Sequence, residues 1–279
     1  MDIKQYRVSG SAEMDRLGEL SYRFIAHLIG LLMGFESLLL CSCCCVSLIY
    51  GEKDMMSFVI SFAICLSASA LLMVIGQKKK SAISRYEGYI VVGLSWVFFT
   101  IFGMLPYLIG GYIPSVTDAF FETMSGFTTT GATILDNIES MPHGILFWRS
   151  LTQWIGGLGI VFFTIVLMPG FGASSQMLYL SEATGVTHNK LYPKTRVMAR
   201  YIFVVYILLT AIESVLLKIG GMSLYDAICH SMTTTATGGF STKQESIAYW
   251  HSSYIEYVVS GFMLLSAINF SLYIVACKG

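Results

Sequence analysis

Long apolar segments alternate with short polar ones along most of this chain, and this pattern predicts membrane-spanning helices. Each apolar segment is near the roughly 20 residues that a helix needs to cross a bilayer. The predicted spans cover 24–50, 55–75, 89–108, 145–168, 197–217 and 254–277. A polar turn at 51–54 joins the first two spans, and glycine pairs at 110–111 and 220–221 end the third and the fifth.

Each glycine pair is followed by a short helix pattern that leads into a loop of threonine and glycine. The two stretches read DAFFETMSGFTTTGAT at 118–133 and DAICHSMTTTATGGFS at 226–241. At an offset of 108 residues they match at Asp118 and Asp226, Ala119 and Ala227, Met124 and Met232, Gly131 and Gly239, and Thr133 and Ser241. Internal repetition indicates a repeated structural unit. We expect short helices at 117–127 and 223–235, followed by a first loop at 128–133 and a second loop at 236–241.

The composition of the two loops favours contact with a cation. Backbone that is neither helix nor strand is tolerated at membrane depth only where it lines water or is packed in protein. Main-chain carbonyls and threonine hydroxyls can replace the hydration shell of an alkali ion. The preceding helix directs the negative end of its dipole at the loop. The alternative is a helix-breaking surface loop, which the occurrence of the pattern twice in register argues against.

At these residues the chain resembles the TrkH/TrkG/KtrB superfamily of potassium uptake proteins. FFETMSGFTTTGAT is similar to that family's first filter, and TTTATGGFST is similar to its second. The likeness extends to RSLTQWIGGLGIV at 149–161 and to Asn269 and Phe270 in the last predicted span. The resemblance implies an all-α polytopic membrane protein with an N-terminal helix pair and two helix–pore loop–helix repeats, which is half of the four-repeat potassium-transporter fold.

The resemblance also implies boundaries for the parts of the chain. They are a cytoplasmic N-terminal segment at 1–22, a transmembrane helix pair at 23–80, a first repeat at 88–168, a cytoplasmic connector at 169–197 and a second repeat at 198–279. Because a complete member has four repeats, we expect this chain to be the N-terminal half of such a protein. The alternatives are a half-pore that a second chain completes and a membrane fragment that does not transport.

The function implied by the resemblance is potassium transport across the bacterial inner membrane, by a multi-pass protein that is not an enzyme. In that family the bound potassium lies at the residues just before the filter glycine. The corresponding residues here are Thr129 and Thr130 before Gly131, and Thr237 and Gly238 before Gly239. The resemblance further implies symport with protons or sodium, a homodimer in membrane lipid and a cytosolic nucleotide-binding regulator of the TrkA type. It implies neither an organic cofactor nor a nucleic-acid partner.

Composition and charge agree with a membrane protein. The chain is 55% hydrophobic and 12% charged, with a mean hydropathy of +0.68, whereas a soluble domain carries about 25% charged residues. Most lysines and arginines fall on the side of the N-terminus, which places that side in the cytoplasm and both loops on the outside. Acidic residues near the loops are expected to make the outer mouth negative and to concentrate cations there. They are Asp118, Glu122, Asp136, Glu139, Asp226 and Glu245.

A few polar side chains within apolar segments are further candidates. Glu122 and His230 match at the offset of 108, and they either tune the mouth or form hydrogen bonds behind the loops. Arg149 is expected to tie its span to the preceding short helix rather than to gate a pathway. Acids inside membrane spans are functional candidates by default. Glu36 and Glu213 are such acids, although near helix ends their carboxylates would merely reach water.

Overall fold

The computed structural model is helical over the residues that it describes, which are 21–76, 85–159, 195–270 and 272–273. The helices are α1 (Tyr22–Tyr50), α2 (Met55–Ile75), α3 (Arg85–Gly103), α4 (Leu105–Ile109), α5 (Val116–Phe127), α6 (His143–Gly157), α7 (Thr195–Ile219), α8 (Leu224–Thr235) and α9 (Ser253–Ala267). A short 3-10 helix, Ser246–Trp250, precedes α9. No strand occurs within these ranges, and the predicted all-α fold class is confirmed.

Four helical segments in the described ranges are long and apolar enough to cross a membrane. They are Tyr22–Tyr50, Met55–Ile75, Glu87–Ile109 and Ala199–Ile219. The predicted span at 145–168 begins as α6, and its part at 160–168 lies outside the described residues. The predicted span at 254–277 is wrong as one continuous helix, because α9 ends at Ala267 and Ile268 has an extended backbone; residues 274–277 lie outside the described residues. The segment 1–20, the lysines at 78–80 and the connector as far as 194 also lie outside. The predicted domain boundaries therefore stay predictions.

The third predicted span consists of two helices rather than one. α3 ends at Gly103, and α4 begins at Leu105 with Pro106 in its first turn. Proline has no N–H to donate to the carbonyl of Phe102, and its ring crowds the preceding turn of a helix. The sequence analysis placed the break only at the glycine pair, and the structure adds an earlier break at Met104.

α1 and α2 form an antiparallel pair that packs through small side chains. One face of α2 carries small residues four positions apart, all of them buried: Ser57, Ser61, Cys65 and Ser69. The hydroxyl of Ser69 donates to the carbonyl of Gly30 at 2.6 Å, and the thiol of Cys65 lies 3.4 Å from the carbonyl oxygen of Met33. Small residues let helix backbones approach closely in a membrane. The pair is therefore held by close packing and side chain to backbone hydrogen bonds.

The turn between α1 and α2 holds the N-terminal end of α6. One carboxylate oxygen of Glu52 accepts the N–H of His143 at 2.6 Å, and the other lies 2.8 Å from the Nδ1 atom of His143. Asp54 lies against the next residue, since a Cβ on Gly144 would be 2.2 Å from its Oδ2 atom. Carboxylates at a helix N-terminus satisfy N–H groups that lack intrahelical partners. The helix pair thereby positions α6, which carries side chains of the candidate site.

Candidate ion-binding loops

The two short helices before the loops begin in the same way. The hydroxyl of Ser115 accepts the N–H of Asp118 at 3.3 Å, and the hydroxyl of Ser223 accepts the N–H of Asp226 at 3.0 Å. A serine cap followed by an acid in the first turn stabilises a helix N-terminus. α5 and α8 are each 12 residues long. Both predicted helices are thus present, and each starts within one residue of its predicted position.

The chain leaves both helices through the same set of backbone hydrogen bonds. In the first unit the N–H groups of Thr128, Thr129 and Thr130 donate to the carbonyls of Met124, Gly126 and Ser125 at 2.8, 3.0 and 3.0 Å. In the second unit the N–H groups of Ala236, Thr237 and Gly238 donate to Met232, Thr234 and Thr233 at 3.1, 2.9 and 2.9 Å. Every one of these bonds recurs at the offset of 108. This recurrence supports the division into two repeated units.

Alternate residues of both loops have a left-handed backbone. φ is 53° at Thr129 and 55° at Thr237, and two residues later it is 76° at Gly131 and 86° at Gly239. A positive φ is uncommon for threonine and costs free energy, whereas glycine adopts it readily. Alternation of left-handed with ordinary residues turns successive peptide groups, so that neighbouring carbonyls no longer point to opposite sides. The sequence analysis singled out Gly131 and Gly239 by their position in the repeat but gave no signal for the strained threonines.

The first and second loops are in contact. A Cβ built on Gly131 would lie 1.9 Å from the carbonyl oxygen of Gly238, which no side chain can tolerate. The hydroxyl of Thr130 lies 2.8 Å from that of Thr128. Thr130 and Thr237 are exposed, while Gly238 is buried. The structure therefore brings the predicted residues of both loops together, with the second loop packed more deeply than the first.

At the last residue of each loop, a hydroxyl group is hydrogen-bonded to a side chain of the short helix before that loop. Thr133 donates to the Oε1 atom of Glu122 at 2.9 Å, and the matching Ser241 lies 3.0 Å from the Nε2 atom of His230. Each hydroxyl also accepts the N–H of the residue two positions later, at 3.1 Å in the first unit and 2.9 Å in the second. Of the two roles weighed for Glu122 and His230, hydrogen bonding behind the loops is the one that the geometry supports.

Arg149 on α6 joins both units. Its Nε atom donates to Glu122 at 2.8 Å, its Nη2 atom to Thr133 at 3.2 Å, and its Nη1 atom to the carbonyl of Ser241 at 3.1 Å. The guanidinium also stacks 4.2 Å from the ring centre of Phe240. Since this side chain is 1% exposed, these contacts are shielded from water. Arg149 ties α6 to α5, as expected, and it also holds the second loop.

Gln153, one helical turn beyond Arg149, is a site residue that the sequence analysis missed. Its Oε1 atom accepts the N–H of Phe240 at 3.0 Å. Its amide also fills the space beside Gly238, where a Cβ would lie 2.3 Å from the Cδ atom of Gln153. A polar residue at the i+4 position from an arginine in an apolar helix lies on the same face. The spacing of four residues from Arg149 is the sequence signal that could have identified Gln153 as a site residue.

His230 is held as a neutral imidazole in the second unit. Its Nδ1 atom lies 2.8 Å from the carbonyl oxygen of Asp226, which can only accept, so Nδ1 carries the proton. Its Nε2 atom is then free to accept the hydroxyl of Ser241. Burial lowers the pKa of His230 below its ordinary value. The second loop is therefore fixed by an uncharged group at the position where the first loop is fixed by a carboxylate.

The predicted acidic mouth needs one correction. Asp118, Asp136, Glu139 and Glu245 are exposed, and Asp226 is partly exposed. Glu122 is 1% exposed and forms an ion pair with Arg149 at 2.8 Å. Its charge is neutralised by that guanidinium, so it does not contribute to the field at the surface.

Comparison with known proteins gives the same family along the chain. The model of the TrkH family, described as cation transport protein, matches residues 54–277. The Trk system potassium uptake protein TrkH of Halomonas elongata is 35% identical over 261 residues, covering 93% of this chain and 54% of that relative. The Trk system potassium uptake protein TrkG of Escherichia coli K12 is 36% identical over 257 residues, covering 90% and 52%. The chain thus spans about half the length of the relatives that it matches.

A solved structure agrees with these matches. The crystal structure of the potassium transporter TrkH from Vibrio parahaemolyticus superposes with a TM-score of 0.77 at 34% identity, covering 92% of this chain and 52% of that one. Its likeness agrees with a multi-pass protein of the bacterial inner membrane, as predicted. From the family match, the relatives and the superposition together, the chain belongs to the TrkH family of cation transport proteins.

Proposed function

We propose that this chain binds and conducts potassium ions through a site formed by its first and second loops. Thr129, Thr130, Thr237 and Gly238 provide main-chain and hydroxyl oxygens, and Gly131 and Gly239 permit the backbone conformation. The observation that carries the proposal is the identical alternation of left-handed residues in two loops that touch. This arrangement supports the proposal that neutral oxygens of both loops face one ion.

The type of oxygen favours a monovalent cation. The first loop reads TTTGAT and the second reads ATGGFS, so neither contains a carboxylate. Calcium and magnesium sites use aspartate and glutamate oxygens, because the negative charge of these carboxylates offsets the double charge of the ion. Potassium is stripped of water by neutral carbonyl and hydroxyl oxygens. The names of the relatives, potassium uptake proteins, point to the same ion.

The remaining features of the proposal follow from the family. The protein transports potassium rather than catalysing a reaction, it uses the loops as a selectivity filter, and it couples the flux to protons or sodium. It forms a homodimer and binds a cytosolic nucleotide-binding regulator of the TrkA type. No organic cofactor is needed.

A second candidate is a half-pore that requires another chain before it can transport. Without that chain, the protein would be a membrane fragment that does not transport. The given sequence spans 52–54% of the relatives' length. Two loops surround only part of an ion, so further oxygens must complete its shell. Those oxygens come from a second polypeptide if this candidate is correct.

Rubidium uptake into cells that lack their own potassium uptake systems tests both candidates. The chain is expressed alone and together with the second half of a TrkH relative. Uptake by the chain alone supports a complete site, and uptake only on co-expression supports a half-pore. If neither combination gives uptake above cells with an empty vector, the transport proposal is wrong.

Matched glycine variants show whether the loops carry the flux. Gly131→Asp and Gly239→Asp should abolish uptake, because each places a bulky, charged side chain on a left-handed residue of a loop. Gly111→Asp is the control, since Gly111 has φ of 70° and open space around it but lies outside both loops. Membrane levels are compared by immunoblot. Full uptake in either loop variant contradicts the proposed site.

A further inference from the structure

Two carboxyl side chains lie buried in the membrane-spanning helices without a charged partner. Glu36 is at the midpoint of α1 and is 1% exposed, and Glu213 on α7 is 0% exposed. The Oε1 atom of Glu36 and both carboxyl oxygens of Glu213 have no hydrogen-bond partner within the described residues. The sequence analysis allowed both to reach water near helix ends. The structure contradicts this, because neither side chain is open to solvent in the chain.

The spans that precede α5 and α8 match each other at an offset of 110. The hydroxyl of Thr100 donates to the carbonyl of Trp96 at 2.8 Å, and the hydroxyl of Thr210 donates to the carbonyl of Tyr206 at 2.9 Å. The glycine pairs at the ends of these spans show the same offset, with φ of 70° at residue 111 and 105° at residue 221. In this register Glu213 of the second unit corresponds to Gly103 of the first.

The carboxyl group of Glu36 occupies the space beside that glycine. A Cβ on Gly103 would lie 3.1 Å from the Oε1 atom of Glu36, and 3.0 Å from side-chain atoms of Thr123 and Phe127 on α5. A carboxyl from α1 therefore fills the space beside Gly103, the position from which Glu213 projects from its own span in the second unit. Glu213 in turn faces Thr234 of α8.

We propose that Glu36 and Glu213 are equivalent proton-binding sites, one behind each short helix. In the first unit α1 supplies the carboxyl, and Gly103 leaves the room for it. In the second unit the span itself supplies the carboxyl. A proton is the ligand that both places fit, because each holds a single buried carboxyl that forms no ion pair within the described residues.

The surroundings of both carboxyls disfavour the ionised form. Glu36 is met from α2 by the thiol of Cys65 at 3.8 Å and from α3 by Gly103, whose built Cβ also meets two uncharged side chains of α5. The hydroxyl of Thr234 lies beside Glu213 but makes no hydrogen bond with its carboxyl oxygens. No lysine, arginine or histidine of the described residues pairs with either carboxyl. A buried carboxylate without a partner is far more costly than the neutral acid, so the group retains its proton.

The positions of Glu36 and Glu213 connect their protonation to the two loops. Thr123 and Phe127 lie on the last turns of α5, and Thr234 lies on the last turn of α8. The C-terminal end of a helix already carries partial negative charge. Loss of either proton would add a full negative charge behind the helix that leads into a loop.

Infrared spectroscopy of the purified chain in lipid measures the protonation state directly, without any transport assay. A protonated carboxyl has a C=O stretching band that an ionised carboxylate lacks. At neutral pH we expect this band in the wild type, a partial loss in Glu36→Gln and in Glu213→Gln, and a larger loss in the double variant. Glu245→Gln, at an exposed carboxyl, should leave it unchanged. An unchanged band in both single variants overturns the proposal.

The wild-type chain gives the same test if the variants fail to fold. Isotope-labelled glutamate shifts the bands of glutamic but not aspartic acids. A spectrum at neutral pH with no label-sensitive band of protonated carboxyl would overturn the proposal without any substitution.

Moving the carboxyl between helices tests the equivalence of the two positions. Gly103→Glu alone should lower the unfolding temperature, because the space is already filled by Glu36. Combined with Glu36→Ala, the same change should restore the part of the infrared band that Glu36→Ala alone removes, and it should raise the stability above that of Gly103→Glu alone. A double variant no more stable than Gly103→Glu alone, with no more of the band than Glu36→Ala alone, would show that the two carboxyls do not share one position.

Discussion

The buried pair of Arg149 and Glu122 gives the most quantitative prediction. Their side chains are 1% and 0% exposed, and their atoms approach to 2.8 Å. Removing one partner of such a pair leaves an uncompensated buried charge, which costs about 3–5 kcal/mol. We expect Arg149→Met to lower the free energy of unfolding by that amount, because the carboxylate of Glu122 stays behind without its cation.

A double-mutant cycle separates the ion pair from the other contacts of Arg149. Glu122→Gln removes the charge but keeps an oxygen that can accept from Thr133. In Arg149→Met with Glu122→Gln no charge is left buried, so the loss should be smaller than the sum of the two single losses by about 1–3 kcal/mol. Lys243→Met is the control, since that ammonium lies at the surface over Tyr249 and should contribute about 0.5–1 kcal/mol.

The assay is unfolding of the purified chain in mixed micelles with increasing dodecyl sulfate, followed by tryptophan fluorescence. Trp148 and Trp154 are neighbours of the arginine on α6 and report on this region. A loss below about 1 kcal/mol in Arg149→Met, or strict additivity in the cycle, would refute the claim that these two buried side chains form a stabilising ion pair.

Three further predictions concern the loops. Gly131→Ala should destabilise the chain more than Gly239→Ala, because both have positive φ but only the first Cβ would strike the opposite loop; thermal unfolding of the two variants checks this, and equal losses would contradict the contact. Gln153→Leu should abolish rubidium uptake with folding retained, since the N–H of Phe240 loses its acceptor; full uptake would show that the bond is dispensable. Because burial lowers the pKa of His230, its contribution to stability is present above the ordinary histidine pKa of about 6.5 and is lost as pH falls through the lowered folded value. His230→Gln should remove that part of the pH dependence of the unfolding temperature, and an unchanged profile would count against a buried neutral imidazole.

Much of the fold could be predicted from local sequence patterns, each of which has a single physical cause. Runs of apolar residues near the thickness of a bilayer predicted the four spans that the structure describes. The glycine pairs predicted where α4 and α7 end, since Gly111 and Gly221 both adopt positive φ. The earlier break at Met104 was missed because Pro106 was assigned to the end of a continuous span. Proline acts on the turn before it, so the break came several residues sooner.

The site was predictable where local backbone chemistry decides it. Gly131 and Gly239 were identified from their position in a repeated loop, and both need the conformation that glycine adopts freely. Thr129 and Thr237 gave no such signal, because a left-handed threonine is held by surrounding contacts rather than by its own preference.

The side chains behind the loops were the least predictable. Gln153 and Phe240 meet across 87 positions of the chain, and Arg149 and Ser241 across 92. A sequence shows that an arginine in an apolar helix needs partners, but it does not say which. The burial of Glu36 against Gly103 has the same origin, since it depends on how α1 packs against a helix that follows much later.

The central claim is that both loops contribute oxygens to one alkali-ion site. Anomalous X-ray diffraction from crystals of the protein grown with rubidium tests it most directly. We predict a rubidium peak within coordination distance of main-chain or hydroxyl oxygens from both Thr129–Thr130 and Thr237–Gly238. Rubidium bound elsewhere, or no peak between the loops at a concentration that saturates uptake, would contradict the account.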